Sequence, residues 1–165
     1  MTLKRLLLGH SETIAGTVYG TIVVLALLSA GAVAYRDDLW RLVALTALST
    51  TVLWAAHVYS HGLGESIKRG RRLTAAEIVA IGGRESAILL AAVLPLAAIA
   101  FGALGVLRAE TALWAALGLG IAALTVQALR YAYLEDLSRT GVLLTIALNL
   151  TLGLLFVGAK AWLAH

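Results

Sequence analysis

An all-α membrane protein, a polytopic helical bundle with five transmembrane helices, is predicted by three observations. Of the 165 residues, 61% are apolar and only 13% charged, and the mean hydropathy is +0.91. A chain of this length cannot cover that composition with polar surface, so lipid has to be the solvent for most of it. The charges fall between apolar stretches and leave five of these uncharged, at 13–35, 42–64, 86–107, 111–129 and 140–159. Each is long enough, since about 20 residues rising ~1.5 Å apiece cross a hydrocarbon core of about 30 Å. Only helices satisfy their own backbone there. Residues 1–165 therefore read as a single transmembrane domain.

The basic residues set the orientation. With the N-terminus inside, Lys4, Arg5, Lys68, Arg69, Arg71, Arg72, Arg84, Arg130 and Arg139 are cytoplasmic, nine of the 13 Lys and Arg, leaving Arg36, Arg41, Arg108 and Lys160 outside. This bias predicts N-terminus in and C-terminus out. Lys4 and Arg5 ahead of an apolar run ending in Ala32, Val33 and Ala34 resemble a secretory signal. Glu12 and the full spanning length favour a retained first helix. Richness in Ala, Leu, Gly and Arg suggests a bacterial chain and so a bacterial inner membrane.

Between spans 2 and 3 the stretch 65–85 has room for a short amphipathic helix on the cytoplasmic side. Thr74 and Glu77 form a capping-box pattern, and Leu73 and Ile78 are spaced as a hydrophobic staple. The helix is expected to start near Ala75, carry Ile78, Val79 and Ile81, and break at Gly82 and Gly83. Lys68 to Arg72 then face anionic lipid head groups. A gate or regulatory element is the other reading of this segment.

Polar residues inside the spans carry what functional signal there is. His57, His61 and Glu65 recur at i, i+4 and i+8 and share one helix face, which Thr46, Thr50 and Ser60 extend. His57 lies roughly 10 Å above the inner end of span 2 at ~1.5 Å per residue. Histidines at that depth face a bundle interior or a hydrated cavity. Span 1 runs the other way, so Glu12 sits at its cytoplasmic mouth and Tyr19 near the level of His57. Glu85, Gln127, Arg130, Tyr131, Glu135, Asp136 and Arg139 gather on the same leaflet, with Asn149 mid-span in span 5 and Pro95 in span 3. The pathway residues expected from this pattern are Glu12, Tyr19, His57, His61, Glu65, Gln127 and Asn149. Three roles suit the cluster: a proton or ion pathway, since histidine titrates near neutral pH; a divalent-metal site made by His57, His61 and Glu65; or histidines that hydrogen-bond across helices, with Glu65 and Glu12 snorkelling or pairing with Arg69 or Lys4.

Other classes find no support. The chain has no cysteine, which removes disulfides and thiolate chemistry. Its formal charge of +4 sits in loops between apolar segments, with no nucleic-acid motif. There is no HExxH, Walker A or GxSxG pattern and no paired aspartates within a span, so no enzyme is expected. Gly16 with Gly20, Ala98 with Gly102 and Ala116 with Gly120 are small-residue pairs that let helices approach closely, within the bundle or at a homodimer seam.

The arrangement resembles the vacuolar iron transporter family, which is also built on five spans with a cytoplasmic helical insertion between the second and third. Span 2 of that family runs into the cytoplasm through a small-residue and Gly-Glu stretch, and the matching run here is Ala55 to Glu65, ending Gly62, Leu63, Gly64, Glu65. The likeness is topological. The family's membrane-embedded aspartate and methionine ligands have no counterparts, because Met1 is the only methionine and span 1 has no aspartate. The resemblance implies a dimeric, proton-coupled carrier of divalent cations, the metal being cargo. The expectation is therefore a small transporter or channel for protons or a divalent cation with a cytoplasmic-facing polar vestibule. The alternative is a non-transporting membrane protein that packs with or regulates a partner.

Overall fold

A computed structural model describes residues 11–163 as six α-helices: α1 Ser11–Ala34, α2 Leu39–Arg69, α3 Ala75–Arg84, α4 Ala87–Ala103, α5 Ala109–Leu134 and α6 Arg139–Leu163. The described residues contain no strand, as the sequence predicts. Three helices, α1, α2 and α5, are long and apolar enough to cross a membrane, and the bent pair α3 and α4 meets the same measure jointly.

Local chemistry sets the helix ends. Asp38 starts α2 by accepting the Arg41 backbone N–H at 3.1 Å. Gly70 ends it at φ 63°, a left-handed turn that lacks a Cβ to clash. The helix runs on past residue 64, where the uncharged stretch ends. It holds 31 residues, about 46 Å at ~1.5 Å each. An i,i+4 Glu65–Arg69 pair, and Lys68 and Arg69 at the negative end of the helix dipole, support the extension.

The capping box at Thr74 and Glu77 forms, and α3 starts at Ala75 as its spacing predicts. The expected break at Gly82 and Gly83 is displaced to Glu85 and Ser86, where the Ser86 hydroxyl donates to the Gly83 carbonyl at 2.7 Å and the axis bends by 46° into α4. Gly82 instead permits close approach: a Cβ there would lie 3.3 Å from the Trp54 ring, and Trp54 Nε1 donates to the Gly82 carbonyl at 3.0 Å.

Helix α4 is the centre, packed against α1, α2 and α5, with α6 laid along α1 and α5. The core is formed by Val24, Leu25 and Leu28 of α1, Leu42 of α2, Ile99 of α4, and Leu117 and Leu124 of α5. Small residues set its spacing. Gly20 abuts the Ile88 backbone, Gly102 the Ala112 side chain, and Gly120 Leu25. All three small-residue pairs are thus spent inside one chain, and the Gly16–Gly20 face is closed by α4. The outward faces are apolar, with Leu48, Val52, Leu90, Leu94, Leu144 and Leu148 exposed. That surface suits a lipid environment and would be an aggregation hazard in water.

Candidate functional site

The polar stripe of α2 faces α1 and the α3–α4 junction across a cleft of about 560 Å³, lined by Tyr19, His57, Ser60, His61, Glu65 and Glu85 and flanked by Lys68 and Arg84. Gly16 and Ala15 form the α1 side, and their lack of bulk leaves the space open. Tyr19 and His57, expected at one level, meet with ring centroids 4.8 Å apart. One turn on, the His61 ring stands edge-on to His57 at 6.0 Å.

Hydrogen bonding assigns the imidazole protons. His57 Nδ1 lies 3.3 Å from the Leu53 carbonyl, which can only accept, so a hydrogen bond there places a hydrogen on Nδ1 and leaves Nε2 facing away from that carbonyl. His61 Nδ1 lies 2.6 Å from Glu85 Oε1, a short charge-assisted contact. The pair is asymmetric: the Glu85 side chain is 14% exposed and His61 59%. A sheltered carboxylate is thereby coupled to an imidazole open to the cleft.

Glu85 is the residue that periodicity missed as a partner. It lies 24 positions from His61 and reaches it because the chain bends at Glu85 itself. The only signal in the sequence was a carboxylate at the mouth of an apolar span.

The expected ligand trio does not converge. Glu65 lines the cleft but its Oε2 is held by Arg69 at 3.1 Å, and among the described residues no group of three His, Cys, Asp or Glu is placed to hold a metal ion. Gln127 is buried in α5 with Oε1 accepting from Arg130 at 3.0 Å, and Asn149 donates to the Thr145 carbonyl at 2.9 Å within α6. Neither lines the cleft. The side chain of Glu12 lies outside the described residues.

Beyond His57 the stripe continues as buried hydroxyls. Thr50 donates to the Thr46 carbonyl at 2.8 Å, and Thr21 of α1 to Thr17 at 2.7 Å. The Thr46 and Ser29 hydroxyls are buried without a partner among the described residues. Each such group costs about 1–3 kcal/mol in an apolar interior.

At the C-terminal end of α2, Glu77 binds Arg69 and Arg71 together with the Thr74 N–H and hydroxyl. The Arg71 hydrogen bond, joined by the Thr74 N–H, pulls the Glu77 carboxyl from its ordinary 4.5 down to about 2 and raises Arg71. The loop 70–74 is thereby tied to the start of α3.

Compared with known proteins, the chain matches no family model, no curated protein and no solved structure.

Proposed function

We propose that this protein is a small integral membrane transporter or channel that moves protons, crossing a bacterial inner membrane five times with the cleft open to the cytoplasm. The observation that carries this reading is the row of Tyr19, His57, His61 and Glu85 along one cleft, closed by the His61–Glu85 hydrogen bond. His61 can accept a proton on Nε2 and release its Nδ1 proton to the Glu85 carboxylate, so the ring passes a proton without moving a charge far. The His57 and His61 rings stand 6.0 Å apart by their centroids, and a bridging water would be the link between them. The unpartnered Thr46 and Ser29 hydroxyls support a polar route continuing between α1 and α2.

Protons are favoured over a divalent cation as cargo because Glu65 is engaged by Arg69 rather than aimed at the histidines. A dimeric cation carrier, as the vacuolar iron transporter resemblance implies, is the form in which metal ions would be the substrate. A non-transporting role beside a partner protein is favoured by one feature, the exposed Ile78 and Val79 on α3.

Purified protein in liposomes tests the choice. A pH gradient should dissipate faster with the protein than without it. His61→Gln and Glu85→Gln should abolish that flux or make it insensitive to pH while leaving the protein folded, since glutamine keeps size and hydrogen bonding but not titration. Folded variants with unaltered flux would remove these residues from the pathway. No flux of protons or several cations by the parent protein would favour the partner-protein reading.

A further inference from the structure

On the opposite side of α2 from the cleft, a second groove of about 450 Å³ runs between α2, the 70–74 loop and α3. We infer that this groove is a binding site for one anionic glycerophospholipid, with an acyl chain along Trp54, Val58, Leu73 and Ile78 and the phosphate on Arg72. The inference rests on the membrane placement proposed above and not on transport.

Shape is the first support. The α2 residues lining the groove extend from Trp54 to Ser66, roughly 18 Å at ~1.5 Å per residue. One leaflet of a hydrocarbon core is about 15 Å deep. The groove therefore has the depth of one leaflet, and its cation stands where a head group would lie. The walls are mostly apolar, with Tyr59, Ser66 and Arg72 as the polar side chains, and the one polar atom of Trp54 is engaged by the Gly82 carbonyl at 3.0 Å.

Charge is the second support. Arg69 and Arg71 are neutralised by Glu65 and Glu77, and Lys68 lies on the cleft side. Arg72 lines the groove, is exposed, and forms no ion pair among the described residues. Its guanidinium is left to pair with an external anion, and a phosphodiester suits its planar fork. The neighbouring clamp holds the loop, so the site exists before the lipid arrives.

The experiment uses a full-length chain whose single tryptophan is Trp54, with Trp40, Trp114 and Trp162 replaced by phenylalanine. It is reconstituted in phosphatidylcholine vesicles containing a minor fraction of either phosphatidylglycerol or phosphatidylcholine brominated in the acyl chain. Brominated phosphatidylglycerol should quench Trp54 more strongly at equal mole fraction, with an apparent preference of about fivefold, the size one cation near a head group supports. Arg72→Gln, at a side chain that holds no hydrogen bond or ion pair among the described residues, should erase the preference, and Lys68→Gln should keep it. Circular dichroism of each variant verifies the fold. Equal quenching by the two lipids overturns the inference, as does a preference that survives Arg72→Gln. Absence of quenching by both would place the groove away from lipid and overturn the inference as well.

Discussion

Gly20 and Gly118 are both helical glycines and should answer the same substitution in opposite ways. A Cβ on Gly20 would fall 2.8 Å from the Ile88 carbonyl oxygen and 2.9 Å from its Cα, both backbone atoms that no rotamer change can move. Gly20→Ala should therefore push α1 from α4 and lower stability by about 1–3 kcal/mol. Around Gly118 nothing lies within 4 Å. Gly118→Ala should gain up to about 1 kcal/mol by removing backbone freedom from a helix interior. Thermal unfolding in detergent checks both signs. A tolerated Gly20→Ala would show that α1 and α4 are not in contact there.

At the scale of the element, α3 is held by two devices: the Glu77 clamp at its start and the Trp54–Gly82 bond near its end. The pH dependence follows from the clamp. The folded-state carboxyl of Glu77 is lowered, from 4.5 to about 2, so its contribution is complete above 4.5 and is lost as pH falls through that interval. Emission from a single-Trp54 chain should shift over this window as α3 loosens, because Trp54 reports contact with Gly82. Glu77→Gln should loosen α3 at neutral pH and remove the transition between 4.5 and about 2. An unchanged acid transition in that variant would assign it to another carboxylate.

For the whole molecule, the proposed five crossings make a topological prediction. A reporter fused after Arg72 should lie in the cytoplasm and one fused after His165 outside; both on one side would exclude the proposed three crossings between them. Assembly can be separated from folding. Gly16 and Gly20 are covered by Ala87, Ile88 and Ala91, so the double Gly→Leu variant should yield misfolded protein. A well-folded monomer from that variant, measured by size-exclusion chromatography against a dimeric parent, would move those glycines to a dimer seam.

What one can read from the chain alone is what depends on local order. The 3.6-residue repeat is enough to put His57 and His61 on one face, the Thr74–Glu77 spacing to start α3, and the uncharged runs to mark the long helices. The ends were less legible. Gly82 and Gly83 look like a helix stop by propensity, yet both lie within α3, where Gly82 lets the Trp54 ring come close. The site was half legible for the same reason. Periodicity paired His61 with Glu65 on its own helix, but Glu65 found Arg69 four residues away, and His61 found Glu85 across a bend. Which carboxylate meets an imidazole is decided by how helices pack and where an axis bends, and that depends on contacts between residues far apart in the chain. Composition and periodicity determined a bundle of apolar helices with a polar stripe, since those follow from solvent and backbone geometry; only the tertiary structure decided what the stripe faces.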